Sequence, residues 1–329
     1  MKKLIQDFPH HLADAMHIAQ QARLKPGDRE IRQVVITGLG GSGIGGTIVS
    51  ELLSDRCKVP VIVNKGYGLP SFVNRYTLVL VSTYSGNTEE TLSALHRADE
   101  AQAEIAIITS GGEALAFAKE KECNHIIVPG GNPPRSMLAY SFVQLLKLMS
   151  HFGLAEGELM NEVSQATQLL EENQEAIRGE GSEIAQFLKG KFPVIYAPDG
   201  YEGVAVRFRQ QLNENSKMVG WQGVVPEMNH NELVGWAGGS DQLGVVFLRN
   251  ETDDPRIQKR IEINQEIIRR STAHVLEIWS KGGNRMEQML YLIHLGDWAS
   301  FDLSVINRVD VMEIKVIEYL KSELSKFKS

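Results

Sequence analysis

The chain of 329 residues is long enough for two domains of ordinary size, each with its own hydrophobic core. Its 43% hydrophobic and 23% charged residues are typical of a globular protein. The net charge of −7, with no basic cluster among aromatic residues, excludes a nucleic-acid surface. The apolar runs are too short to cross a bilayer and residues 1–7 lack the apolar core of a signal peptide, so a cytoplasmic protein is expected.

A leading helix is predicted over residues 8–24, followed by alternating strands and helices. Continuous apolar strands separated by helices of ordinary length predict a parallel sheet covered on both faces. The predicted strands of this half cover residues 34–36, 59–63, 77–81, 105–108 and 126–128, and its helices cover residues 44–53, 88–101, 114–119 and 137–151.

The second half repeats this plan after a bridging helical stretch at 156–189. Two similar α/β units indicate an internal duplication, with domains at 1–153 and 154–329 and a cleft between them. Ligands of such sheets lie outside the carboxyl ends of the strands. The predicted strands of this half cover residues 192–197, 243–248 and 274–279, and its helices cover residues 203–218, 255–270, 286–303 and 312–327.

Cysteines and histidines give no metal or disulfide pattern. Cys57 and Cys123 lack paired spacing and are predicted to be reduced and structural. His10, His11 and His17 have no acidic or cysteine partners in a metal-binding pattern, so we predict them on the surface of the leading helix. No metal is expected.

The segment STYSGNTEET at 82–91 follows a buried strand and leads into a helix. It presents the hydroxyls of Thr83, Ser85 and Thr88, together with free N–H groups at a positive helix end. This arrangement suits a dianion such as a phosphate monoester. No lysine follows the chain's glycines as the nucleotide-binding P-loop requires, so a sugar-phosphate-sized ligand is favoured over a nucleoside triphosphate.

The glycine loop GLGGSG at 38–43 matches the dinucleotide pattern G-x-G-x-x-G between a strand and a helix. That fingerprint also needs an acidic residue after the next strand, and the strand at 59–63 ends instead in Asn-Lys-Gly. We therefore expect no dinucleotide cofactor. Gly40 and Gly41 are predicted to let backbone N–H groups approach the phosphate ligand, with Ser42 as a further donor. A tight strand–helix turn without a ligand is an equal alternative for each glycine.

Five segments resemble, in order, the bifunctional phosphoglucose/phosphomannose isomerase family, which is built from two sugar isomerase (SIS) domains. The resemblance runs from about residue 30 to the C-terminus, and its last three segments are the most specific. It implies an α/β fold of two tandem SIS-type doubly wound parallel-sheet domains with flanking helices. The segments are GLGGSGIGG (38–46), STYSGNTEET (82–91), GGNPPRSM (130–137), LNENSK (212–217) and EMNHNE (227–232).

The resemblance implies an aldose–ketose isomerase that interconverts glucose 6-phosphate, and also mannose 6-phosphate, with fructose 6-phosphate through a cis-enediol and without a cofactor. Residues 310–313, Asp-Val-Met-Glu, depart from the family's proline- and threonine-bearing pattern in a region that helps to accept mannose, which favours glucose. The alternatives are a non-catalytic sugar-phosphate-binding SIS protein and another SIS isomerase of phosphosugars. The chain has no apparent DNA-binding segment, which disfavours a sensor.

The resemblance also assigns roles to individual residues of this chain. Glu214 matches the base that moves a proton between C1 and C2, and Arg135 the cation that stabilises the enediolate. His230 matches a ring-opening histidine that related isomerases share across a homodimer interface, and Lys321 matches a C-terminal lysine that helps ring opening. The implied phosphate clamp consists of Ser42, Thr83, Ser85 and Thr88.

Overall fold

The computed structural model describes residues 1–327. Its first half contains, in chain order, α1 (Lys2–Gln6), α2 (Phe8–Gln21), β1 (Gln33–Thr37), α3 (Gly40–Leu52), β2 (Val61–Asn64), β3 (Thr77–Thr83), α4 (Glu89–Glu100), β4 (Glu104–Thr109), α5 (Gly112–Glu120), β5 (Asn124–Ile127) and α6 (Leu138–His151). The second half contains α7 (Leu159–Glu172), α8 (Gln174–Leu188), β6 (Phe192–Pro198), α9 (Glu202–Ser216), β7 (Trp221–Val225), α10 (Glu232–Gly235), β8 (Leu243–Arg249), α11 (Pro255–Ile268), β9 (Val275–Trp279), α12 (Arg285–Ile306) and α13 (Lys315–Leu324).

The first sheet has the strand order β2-β1-β3-β4-β5, and all of its pairs are parallel. After β1 the chain adds β2 on one side and then β3 on the other. The order therefore reverses between β1 and β3, which makes their carboxyl ends the topological switch point where ligands of such sheets bind. Every residue of β3 is buried, because helices cover both faces of the sheet.

The second sheet has the order β7-β6-β8-β9, again entirely parallel, with its switch point between β6 and β8. The prediction of two doubly wound parallel units is confirmed. The edge strand β7 was not predicted. Only its last residue, Val225, is buried, and Gly223 interrupts its sequence. The segment therefore shows neither the continuous apolar run nor the apolar–polar alternation that predicts a strand.

The helices between the sheets form one hydrophobic core that contains residues of both halves. The central helix α12 packs against α7, α8 and α9 and is buried on all sides. The N-terminal helices also contact it: His294 Nε2 lies 3.0 Å from the carbonyl oxygen of Ile5, and the rings of Phe8 and His294 are 5.4 Å apart. Since residues before 153 pack on α12, the domain boundary at 153/154 stays a prediction.

The prediction that His11 lies on the helix surface is wrong. Its side chain is 7% exposed, and its ring lies 5.6 Å from the ring of Tyr140, because α2 packs against α6 through this face. Burial lowers the pKa of His11, and the nearby Asp7 carboxylate opposes this effect.

Cys57 and Cys123 are free thiols. Among residues 1–327, no group of three or more His, Cys, Asp or Glu side chains is placed to hold a metal ion. The helices of this described part include none with the length and apolar character of a membrane span.

Helices α3 and α9 join the two halves by a close contact. A Cβ atom on Gly203, in the first turn of α9, would lie 2.9 Å from Ile48 Cγ1 of α3. The backbone N–H of Gly203 donates to both carboxylate oxygens of Glu51 on α3, at 3.0 and 2.9 Å. A carboxylate at this position satisfies an unpaired N–H group of the helix start. Burial nevertheless raises the pKa of Glu51 to about 7, with the Gly203 N–H opposing the rise.

The ionisation of Glu51 is expected to make stability depend on pH. The unfolded chain loses this proton near the ordinary pKa of 4.5 and the folded chain near 7, so the free energy of unfolding falls as pH rises between these values. The contribution is on the order of 3 kcal/mol. Glu51→Gln keeps an acceptor for Gly203 and should gain stability relative to wild type as the pH is raised from 4.5 to 7, measured by urea unfolding. The exposed control Glu120→Gln should show no such trend, and parallel pH curves for wild type and Glu51→Gln would contradict the prediction.

Candidate active site

The first switch point holds a cradle of hydroxyl groups. Ser42, in the first turn of α3, is buried, and its Oγ accepts the backbone N–H of Tyr84 at 3.1 Å. This hydrogen bond joins the glycine loop after β1 to residues 84–88 after β3, which we call the hydroxyl loop. Thr83 is also buried, and its Oγ1 donates to Thr88 Oγ1 at 3.4 Å. The structure therefore brings Ser42, Thr83 and Thr88 together at the edge where a ligand is expected.

The start of α4 completes the cradle. Thr88 is the N-cap residue of α4, and its side chain makes no capping hydrogen bond, so it does not occupy the N–H groups of the first turn. Those groups and the helix dipole favour an anion at this end. Ser85 is exposed, with its Oγ accepting the N–H of Asn87 at 3.2 Å. The arrangement suits a phosphate group.

Gly86 gives the hydroxyl loop its shape. Its φ of +73° lies in the left-handed region, and a Cβ atom would overlap the carbonyl oxygen of Gly111. The loop therefore folds back against the end of β4 only with glycine at this position.

The glycine loop begins α3 earlier than predicted. The sequence predicts a start at residue 44, whereas the helix begins at Gly40, which has a φ of +53°. A Cβ atom on Gly41 would lie 2.8 Å from the carbonyl oxygen of Pro134. Gly41 thus allows the 3₁₀ turn Pro134–Ser136 to pack against the loop, which places Arg135 beside the cradle.

The guanidinium of Arg135 is buried, with 4% of the side chain exposed, and is held by three partners. Its Nε donates to Asn215 Oδ1 at 2.8 Å, Nη1 to Glu214 Oε2 at 3.2 Å, and Nη2 to the carbonyl oxygen of Val311 at 2.6 Å. Burial lowers the pKa of Arg135, and the Glu214 carboxylate opposes the effect. An arginine remains a cation under these conditions.

Glu214 lies in the last turn of α9, next to Arg135, with its side chain 31% exposed. The structure therefore brings the predicted base and the predicted cation into direct contact. Lys217 ends the helix in the left-handed conformation, with a φ of +57°. Its Nζ donates to the carbonyl oxygens of Glu214 and Glu313, at 2.6 and 2.7 Å. The C-terminal segment is thus fixed to the end of the helix that carries Glu214.

Three comparisons with known proteins identify relatives of this chain. The family model described as bacterial phospho-glucose isomerase C-terminal SIS domain matches residues 177–324. A bifunctional phosphoglucose/phosphomannose isomerase of Caldicellulosiruptor bescii is 36% identical over the whole of both chains. Its counterpart from Aquifex aeolicus is also 36% identical, over 89% of this chain and 90% of that protein. This chain belongs to the bifunctional phosphoglucose/phosphomannose isomerase family.

The resemblance described from the sequence is thereby confirmed. A solved structure shows the same fold at low sequence identity: the C-terminal domain of glucosamine-fructose-6-phosphate aminotransferase from Francisella tularensis. It superposes with a TM-score of 0.75 and 14% identity, over 95% of this chain and 98% of that one. This likeness concerns the fold alone, and it agrees with the two parallel sheets of this member of the isomerase family.

The departure of residues 310–313 from the isomerase family pattern falls directly on the site. Two of its residues contact the site through backbone carbonyl groups, Val311 towards Arg135 and Glu313 towards Lys217. Backbone contacts do not depend on side-chain identity. The changed side chains are therefore compatible with the same placement of this segment.

His230 and Lys321 are not part of the cluster around Glu214. Both are exposed, His230 in a 3₁₀ turn at Glu227–His230 and Lys321 on α13, which has no buried residue. Within residues 1–327 neither side chain forms a hydrogen bond or ion pair with Arg135 or Glu214. The two residues predicted to open the sugar ring therefore lie in solvent in a single protomer.

The second switch point has different chemistry. An open cavity of about 1000 Å³ lies at the carboxyl ends of β6 and β8. Its lining residues include one arginine, Arg285, and many carboxylates, which repel a phosphate dianion. The hydroxyl cradle of the first sheet is therefore the better phosphate site. The carboxylates are Glu51, Asp199, Glu202, Glu227, Glu232, Asp253 and Asp254.

Several residues that contact Arg135 or its neighbours were not predicted from the sequence. Asn215, Lys217 and Arg207 each contact the site or its backbone. One signal was available: Arg207, Gln211 and Asn215 recur every four residues and share one face of α9. A polar stripe at this spacing on a helix between two cores indicates buried hydrogen-bond partners.

Replacing Gly86 should damage the cradle. Gly86→Ala forces the hydroxyl loop away from Gly111, because the new Cβ overlaps its carbonyl oxygen, and we expect affinity for inorganic phosphate to fall at least about tenfold. Gly179→Ala is the matched control, since Gly179 lies on α8 with nothing within 4 Å of its Cβ position. Calorimetric titration measures both variants. Unchanged phosphate affinity in Gly86→Ala would mean that phosphate binds outside the hydroxyl cradle.

Proposed function

We propose that this protein is a cofactor-independent aldose–ketose isomerase that interconverts glucose 6-phosphate and mannose 6-phosphate with fructose 6-phosphate through a cis-enediol. The observation that carries the proposal is the contact of Arg135 with Glu214, 3.2 Å apart, next to the hydroxyl cradle. A base, a fixed cation and a phosphate site are the groups that this reaction needs. Membership of the isomerase family and the names of the relatives from Caldicellulosiruptor bescii and Aquifex aeolicus support it.

The proposed chemistry assigns one task to each group. The phosphate of the open-chain sugar binds to the cradle, which directs C1 and C2 towards Glu214. The Glu214 carboxylate removes the proton from C2 of the aldose, and the electron pair of that bond forms the C1=C2 double bond of the enediolate. Arg135 stabilises the negative oxygen. A proton passes from O2 to O1, and Glu214 returns its proton to C1 while the electron pair on O2 forms the C2=O bond, which gives the ketose.

Acceptance of both aldoses follows from the same intermediate. C2 is planar in an enediol, so its configuration is lost, and return of the proton gives glucose or mannose according to which face of C2 is turned towards Glu214. The segment 310–313 contacts Arg135 through the backbone carbonyl of Val311, close to where C1 and C2 are proposed to react. Mannose 6-phosphate is proposed beside glucose 6-phosphate because the relatives are named phosphoglucose/phosphomannose isomerases, and the backbone contact of Val311 with Arg135 does not depend on the changed side chains.

Glu214→Gln should separate binding from turnover. The amide has nearly the same shape but lacks a basic oxygen, so kcat for fructose 6-phosphate should fall by roughly 10³-fold while the dissociation constant changes little. A coupled assay measures conversion to each aldose, and calorimetry measures binding. Glu202→Gln, at the opposite end of the same helix, should retain full activity. Turnover retained in Glu214→Gln would remove Glu214 as the base.

We further propose a homodimer in which His230 of one protomer serves the site of the other. The proposal is supported by the exposure of His230 and by its separation from the Arg135–Glu214 pair in one chain. Val234, four residues further on, is 79% exposed, so this loop presents apolar as well as polar surface to a partner. A C2 dimer would form two such shared sites.

Mixed dimers test the sharing of His230. Co-expressed His230→Ala and Glu214→Gln protomers form mixed dimers in which one site carries both changes and the other carries neither. Random pairing then restores about a quarter of wild-type activity, although each variant alone is inactive. Differently tagged chains allow the mixed dimer to be purified and assayed. Absence of recovered activity in that dimer would mean that His230 acts within its own protomer, whereas full activity of His230→Ala alone would mean that His230 is not needed.

A further inference from the structure

We propose that Asn215 is a positioning residue that holds the guanidinium of Arg135 in the orientation needed for catalysis. The inference rests on the proposed function, because it concerns how the enediolate-stabilising cation is held. Asn215 is fully buried in the last turn of α9, adjacent to Glu214. Its Oδ1 accepts the Nε–H of Arg135 at 2.8 Å.

Asn215 prevents a competing arrangement of Arg135 and Glu214. Arginine and carboxylate groups readily form two parallel hydrogen bonds, which would occupy both oxygens of the base. Here Nε faces Asn215 and Nη2 faces Val311, so Arg135 donates to Glu214 through Nη1 alone. Within residues 1–327, Glu214 Oε1 accepts no hydrogen bond, so this oxygen is free to take the substrate proton.

The orientation of the Asn215 amide is fixed by a directional chain of hydrogen bonds. The hydroxyl of Ser300 on α12 donates to the carbonyl oxygen of Asp297 at 2.8 Å. Ser300 Oγ has no second proton and therefore accepts, from Asn215 Nδ2 at 3.0 Å. The amide must then direct its oxygen to Arg135. The opposite orientation would place an N–H group against the Nε–H of arginine.

The same face of α9 also holds the backbone of Arg135. Arg207 Nη2 donates to the carbonyl oxygen of Arg135 at 3.1 Å and to Asp297 Oδ2 at 2.6 Å. Gln211 Nε2 donates to the other oxygen of Asp297 at 2.9 Å. Both the backbone and the guanidinium of Arg135 are thus fixed to the helix that carries Glu214. The base and the cation keep their relative positions because one helix face holds both.

A double-mutant cycle tests this role. Asn215→Ala should lower kcat for fructose 6-phosphate by about 10²-fold with little change in KM, because displacement of a catalytic group costs about this much. In an Arg135→Ala background, the same change should lower kcat by less than about threefold, since the group that Asn215 positions is already absent. Asn124→Ala removes another buried asparagine with two hydrogen bonds, to Lys25 in the first half, and should leave kcat unchanged.

Two further variants keep the test decisive if Asn215→Ala does not fold. Asn215→Asp retains an oxygen for Arg135 Nε and should keep kcat closer to wild type than Ser300→Ala, which removes the acceptor that orients the amide. An equal loss of kcat from Asn215→Ala with and without Arg135 would overturn the proposal. If Asn215→Ala does not fold, unchanged kcat in Ser300→Ala, or a loss in Asn215→Asp as large as that in Ser300→Ala, would overturn it. If the wild-type protein converts fructose 6-phosphate to neither glucose 6-phosphate nor mannose 6-phosphate, the proposed function is refuted. This result differs from the variant results that would refute only the role of Asn215.

Discussion

The burial of Arg135 is the constraint on which the site depends. A guanidinium carries five N–H groups, and removing it from water without partners is costly. Its partners Glu214, Asn215 and Val311 all come from the second half of the chain, whereas Arg135 follows the first sheet. The cation is therefore stable only when the two halves are packed together. The packing of the two halves consequently also brings Arg135 and Glu214, the groups proposed to react with the sugar, together.

The two halves share an architecture but divide the chemistry. Each sheet is parallel and has a switch point between its first strand and the strand that reverses the order. At the first switch point, hydroxyls and N–H groups face the ligand edge; at the second, carboxylates line the cavity. The second half contributes through the far end of α9, where Glu214 lies, rather than through its own switch point. The two switch points therefore have different chemistry, and the second half reaches the first site through α9.

Local patterns predicted most of the fold, and long-range contacts account for what they missed. Strands β1, β3 and β8 were predicted within two residues at either end, because buried parallel strands are continuous apolar runs. Helix α3 begins earlier than predicted, and its Gly41 packs against Pro134, 93 residues later in the chain, a contact that no local pattern contains. The motif resemblance named Arg135 and Glu214 as candidate site residues. Their contact with each other, and the contact of Arg135 with Asn215, are long-range and are given only by the three-dimensional structure.

The residues proposed for proton transfer and those proposed for ring opening lie in different parts of the protomer. The groups proposed for proton transfer, Glu214 and Arg135, are in contact within one chain, and Arg135 is buried. The groups proposed to open the ring, His230 and Lys321, are exposed, and within residues 1–327 neither forms a hydrogen bond or ion pair with Arg135 or Glu214. Helix α13 also exposes Val316 and Leu320, an apolar stripe that has no partner within residues 1–327. If a second copy supplies His230, dimer formation controls access from the cyclic sugar to the open chain, whereas enolisation depends on the protomer alone. The oligomeric state then sets which form of the sugar each site is able to use.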